Sequence, residues 1–120
     1  MRHVRVKLLK EDDGIEPSAL VIDLVLGADR KPAHPIPFAG WWGKPCSGHW
    51  LRPLVFQPDG TVNWGGDAED TDYHRFSRMP VHETAFTPGV KLNMWHLDEV
   101  SDTFVVVQIT DLETLHSAVF

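Results

Sequence analysis

The chain has 120 residues, 42% of them apolar and 23% charged. That composition fits one globular domain able to bury roughly two-thirds of the surface its unfolded chain exposes, and it excludes the apolar-poor signature of disorder. Eleven Lys and Arg against 17 Asp and Glu give a formal net charge of −6, which repels phosphate backbones and excludes nucleic acid as the expected partner.

Residues 1–14, MRHVRVKLLKEDDG, interleave charge with valine and leucine and hold no uninterrupted apolar stretch, so a signal peptide is not expected. A single cysteine forms no internal disulfide, in keeping with an expected cytoplasmic location. Val4, Val6 and Leu8 alternate with Arg5 and Lys7, the period of a strand with one buried face. Ala19 to Leu26, ALVIDLVL, is apolar on both faces except at Asp23 and suits a central strand. The longest apolar run, Ala19 to Ala28, is too short to span a membrane and contains that aspartate.

His34 to Gly66 gathers Trp41, Trp42, Trp50 and Trp64 with the lone Cys46. Pro35, Pro37, Pro45, Pro53 and Pro58 exclude a regular helix there, which leaves turns and short strands. His49 to Gln57 and Thr61 to Trp64 read as strands joined by Gln57-Pro58-Asp59-Gly60, a hairpin turn in which proline presets φ and glycine accepts positive φ. Pro53 predicts an edge strand or a bulge.

GGDAEDTD, residues 65–72, reads as a loop, and Tyr73 to Met79 as a further strand. Val90, Leu92 and Met94 alternate with Lys91, Asn93 and Trp95; after an acidic loop, Asp98 to Asp102, the chain returns as the β-branched strand Thr103 to Ile109. The tail spaces Leu112, Leu115 and Val119 like a helical turn. Together these elements predict a single all-β domain spanning 1–120, a sandwich or partly open barrel of about seven mostly antiparallel strands.

The segment HETAFTPGVKLNMWHLDEVSDTFVVVQITDL, about a quarter of the chain, resembles the closing segment of small cytoplasmic bacterial proteins, among them immunity proteins of polymorphic-toxin and contact-dependent inhibition systems. The resemblance implies a small binding protein and carries over no functional residue.

Candidate chemistry is sparse. Lys44-Pro45-Cys46-Ser47-Gly48-His49 places a lysine and a histidine near a thiol, which would favour the thiolate, but adjacency alone does not build a Cys/His catalytic pair. Seven histidines show none of the short spacings of zinc sites, so no metal or other cofactor is expected. Asp67, Glu69, Asp70 and Asp72 fail the EF-hand pattern, since the glycine and glutamate positions fall on Asp72 and Arg78. Trp50, Trp64 and Trp95 are expected to fill the core. The adjacent Trp41 and Trp42 must point to opposite faces of a strand, which makes one of them the candidate exposed aromatic, suited to a protein interface or a sugar ring.

Charge is unevenly divided. Residues 1–58 carry eight Lys/Arg and six Asp/Glu, residues 59–120 three and eleven. The expected function is therefore non-enzymatic binding by a small acidic inhibitor or immunity-type protein, which covers a basic protein partner with Asp67, Glu69, Asp70, Asp72, Asp98, Glu99 and Asp102 alongside Trp41 and Trp42. The alternative is a carbohydrate or small-ligand module using tryptophan; an enzyme based on Cys46 and His49, or on a metal, ranks third.

Overall fold

The computed structural model describes residues 1–11, 14, 17–44, 52–65, 76–96 and 100–112. Eight strands follow in chain order: β1 (Arg2–Lys10), β2 (Ala19–Leu26), β3 (Phe38–Gly43), β4 (Arg52–Phe56), β5 (Thr61–Asn63), β6 (Phe76–Arg78), β7 (Lys91–His96) and β8 (Ser101–Asp111). Each pairs antiparallel with the next, and β8 returns to pair with β1, so the sheet closes into an up-and-down barrel rather than a sandwich. The strand beyond the expected seven is β3, FAGWWG. Its Ala-Gly pair has poor strand propensity and prolines stand on either side of it, yet none lies inside it.

Closure leaves one inside, and alternate side chains fill it. Val4, Val6 and Leu8 of β1, Leu20, Ile22, Leu24 and Leu26 of β2, Leu54 and Phe56 of β4, Leu92 and Met94 of β7, and Phe104 and Val106 of β8 are all buried. Asp23, the one charge in β2, faces outward, where Arg5 of the neighbouring strand grips it in two hydrogen bonds of 2.8 and 3.0 Å. That hydrogen bonding holds the Arg5 guanidinium above its ordinary pKa.

Three local devices shape the barrel. Gly40 faces inward, and a Cβ there would sit 2.6 Å from Phe56 Cε2 and 2.7 Å from the Val21 carbonyl oxygen, so only glycine lets β2, β3 and the Phe56 ring approach. Val107 is an extra residue in β8, because Lys7 pairs with Gln108 while Leu8 pairs with Val106. This bulge explains the apolar run Val105-Val106-Val107: it switches the inward phase, so Val107 is exposed while Ile109 packs against the core. The turn after β4 forms as expected, with Gly60 at φ +93° and the Asp59 carboxylate accepting from the Thr61 N–H at 2.9 Å. That backbone hydrogen bond holds the Asp59 carboxyl below its ordinary pKa.

Two expectations are corrected. β4 is not an edge strand, since β3 and β5 flank it; Pro53 lies opposite Trp41, beyond the described β4–β5 pairs, Val55 with Asn63 and Phe56 with Val62. Trp95 is 49% exposed instead of filling the core, because Leu92 and Met94 set the inward phase of β7 and leave position 95 outside. The tail beyond Leu112 and residue 50 lie outside the described residues.

The two ends of the barrel differ. Met79, Val81 and Phe86 in the β6–β7 connection are buried and plug one end, where the Phe86 N–H also donates to the Arg30 carbonyl. The other end, where β1, β3, β5 and β7 finish, is lined by polar and aromatic side chains.

Gly40→Ala should lower stability by about 1–3 kcal/mol through overpacking, read as a lower urea midpoint with an unchanged slope. Asp59, with its carboxyl pKa depressed in the fold, adds stability that is present above the ordinary carboxylate range and lost as pH falls through the folded value. Asp59→Asn should therefore narrow the gap between urea midpoints measured at neutral pH and in acid.

Candidate functional site

This second end is built by strand phase. The last inward position in or beside each of the eight strands contributes one side chain: Lys10, Ser18, Trp42, Arg52, Trp64, Ser77, His96 and Asp102, with Met94 and Phe104 one layer deeper. They line a cavity of about 310 Å³. An eight-stranded barrel is just wide enough either to be filled by side chains or to hold one small ligand. Here the lower part is filled, and the described side chains of the mouth leave a hollow between them.

Neighbouring members of this ring are cross-strand partners. Ser77 lies opposite His96, Trp42 opposite Arg52, and Lys10 opposite Phe104. His96 and Asp102 are diagonal, since Asp102 pairs with Met94, two residues earlier on β7. Diagonal neighbours on one face of a sheet lie within reach of long side chains.

A continuous hydrogen-bonded chain results. Trp64 Nε1–H donates to Ser77 Oγ at 2.9 Å, Ser77 Oγ is 2.8 Å from His96 Nδ1, and His96 Nε2 is 2.9 Å from Asp102 Oδ2. Lys10 Nζ lies 3.4 Å from the other oxygen, Asp102 Oδ1. Ser77 is only 2% exposed, so its hydroxyl depends on these partners. Because Trp64 can only donate, Ser77 Oγ accepts from it and, with a neutral imidazole, sends its own proton to Nδ1. The imidazole proton then sits on Nε2 and faces the Asp102 carboxylate. That assignment gives a partner to each polar side-chain atom of Trp64, Ser77, His96 and Asp102.

The aromatic walls are equally specific. Trp42 and Trp64 meet edge to face with ring centroids 6.0 Å apart. The Arg52 guanidinium lies 5.5 Å over the Trp64 ring while its Nε donates to the Trp64 carbonyl at 3.2 Å. Among the described lining residues, two cations, Lys10 and Arg52, stand against one carboxylate, Asp102.

The expected site residues are distributed as follows. Trp41 and Trp42 do face opposite sides: both are half-buried, Trp42 in the mouth and Trp41 on the outer wall with the Arg5 guanidinium 5.8 Å from its ring. Asp102 lies inside the mouth, bound to His96 and Lys10. Asp67, Glu69, Asp70, Asp72, Asp98 and Glu99 lie outside the described residues, as do Cys46 and His49. Among the described residues, no group of three His, Cys, Asp or Glu side chains could hold a metal ion, and no helix is long and apolar enough to cross a membrane.

Sequence inspection missed Ser77, His96, Lys10 and Arg52. The signal was present in the strand phase: His96 extends the inward series Leu92, Met94; Asp102 begins the series Phe104, Val106; Arg52 begins Leu54, Phe56; and Lys10 ends Val4, Val6, Leu8. A polar residue at the end of an inward apolar series marks the rim of a barrel. No protein-family model, curated protein or solved structure matches the chain.

Ser77→Ala should cost about 1–3 kcal/mol in a urea melt, because the Trp64 N–H and His96 Nδ1 both lose their buried partner while nothing larger is introduced.

Proposed function

We propose that this protein binds a small molecule in the open mouth of its barrel, and that the ligand is a compact amphipathic anion with a planar apolar body. The observation that carries the proposal is the change of character along the inward columns. Below, they are close-packed aliphatic and aromatic side chains; at the mouth, each strand supplies a polar or aromatic group around a cavity of about 310 Å³. That volume lies at the lower end of the range for small-molecule sites, and such sites combine apolar walls with a few placed polar groups. Trp42, Trp64, Met94 and Phe104 supply the apolar surface for a flat ligand, and Lys10 and Arg52 favour a negative charge on it.

The expected alternative of an acidic inhibitor draws on carboxylates that lie outside the described residues, apart from Asp102, which is engaged within the mouth by His96 and Lys10. A cation-biased aromatic mouth supports a small organic anion over a sugar, since sugar recognition asks for carboxylates and carboxamides beside the ring.

Titration with 2-naphthoate, with 2-naphthylmethylamine as the cationic control and glucose as the sugar control, tests this through tryptophan fluorescence. The carboxylate should produce a saturable change that is lost in Trp42→Phe/Trp64→Phe, and Arg52→Gln should weaken it about tenfold, worth roughly 1.4 kcal/mol. A saturable response to the amine but not the carboxylate would reject an anion site.

A further inference from the structure

We propose that the mouth is also a catalytic site, in which Ser77 acts as a nucleophile toward small carboxylic esters, His96 as its general base and Asp102 as the group that orients and stabilises the imidazole. The proposal rests on the assignment of the mouth as a small-molecule site. Nucleophilic catalysis by a hydroxyl requires three things: a base within hydrogen-bond reach, a third group fixing that base, and a cavity beside the oxygen for the reacting carbonyl. All three meet here. Ser77 Oγ lies 2.8 Å from His96 Nδ1, His96 Nε2 lies 2.9 Å from Asp102 Oδ2, and all three residues line the cavity.

The remaining lining supports the same chemistry. The Trp64 N–H occupies an Oγ lone pair at 2.9 Å and so turns the Ser77 proton toward the imidazole before any substrate arrives. Negative charge developing on a carbonyl oxygen in the mouth would be stabilised by the cationic side chains of Lys10 and Arg52 on its wall. Here Nδ1 faces the serine and Nε2 the carboxylate. The two imidazole nitrogens are equivalent for proton transfer as long as one accepts and the other is held by an acceptor, so this orientation serves the purpose.

The step balances without any redox change. The Ser77 Oγ–H adds to the ester carbonyl carbon, forming an Oγ–C bond; the carbonyl π electrons move to oxygen and the hydroxyl proton passes to His96 Nδ1. The imidazolium is held by Asp102 through Nε2–H. The carbonyl then re-forms, the bond to the ester oxygen breaks, and the departing alcohol takes the proton from Nδ1, leaving an acyl group on Ser77. Water, the second substrate, adds to that carbon, gives its proton to His96, and Ser77 Oγ leaves and recovers it. The products are an acid and an alcohol, and the acid is the small anion that the cation-biased mouth is proposed to bind.

Two measurements on the intact chain test this. After treatment with an alkyl fluorophosphonate, intact mass and peptide mapping should place one phosphonyl group per chain on Ser77. Hydrolysis of p-nitrophenyl acetate should fall roughly 100-fold in Ser77→Ala and at least tenfold in Asp102→Asn, the range removed with a general base or its orienting group. No adduct on Ser77, together with equal ester turnover in wild type and Ser77→Ala, overturns the proposal. If 2-naphthoate still binds in that case, the binding site stands and only the catalysis fails; if it does not bind, both fall. Should Ser77→Ala fail to fold, the position of the adduct on the wild-type chain still decides.

Discussion

Closure of the β1–β8 seam is the constraint on which the rest depends. An open sheet would present two unpaired edges and leave alternate side chains facing water on at least one side of each strand. Joining β8 to β1 removes both edges and turns the inward positions of eight strands into one enclosed column. The seam runs from Val4 opposite Asp111 to Lys10 opposite Phe104, and it accommodates the Val107 bulge on the way. Without that bulge the whole of β8 would keep one phase, and Ile109 would not pack against the core.

The same column distinguishes the two ends of the barrel. Packing density at the plugged end comes from Met79, Val81 and Phe86, carried in by the connection between β6 and β7. At the mouth, Trp42, Arg52, Ser77 and His96 are held by cross-strand pairing. Side chains placed by a closed ladder hold their positions better than side chains on a loop, and both binding and nucleophilic chemistry require that. The Trp64–Ser77–His96–Asp102 chain joins the segment after β5 to β6, β7 and β8, so the polar network also ties together that arc of the rim.

Much of the architecture is legible in the sequence. The alternation in β1, the apolar run of β2, the turn at Gln57 to Gly60 and the hairpin of β7 and β8 all follow from period-two patterning and turn chemistry. β3 escaped because five prolines and several glycines dominate its neighbourhood, and tertiary pairing with β2 and β4 overrides the weak propensity of Ala39 and Gly40. Sandwich and barrel could not be told apart from strand count, since the distinction lies in one long-range pairing that no local pattern encodes. The site was hidden for a related reason. Ser77, His96 and Asp102 lie far apart in sequence and carry no motif, and their convergence needs register as well as phase. Asp102 attracted notice as one charge among an acidic run, whereas the fold separates it from that role by turning it inward toward His96 and Lys10.

The pairing of the first strand with the last also sets how the molecule must assemble. Seven of the eight strand pairings join neighbours in sequence and can form as local hairpins or short returns, while the eighth brings Arg2 to Asp111 across a separation of 109 residues. Loop-closure entropy makes that contact the slow one. Until it forms, β1 lacks a partner on one side and Asp102 has not met Lys10, so a half-zipped intermediate has an exposed edge and an incomplete rim. Closure thus completes the rim, through Lys10 and Asp102, in the same step that covers the last unpaired strand edges.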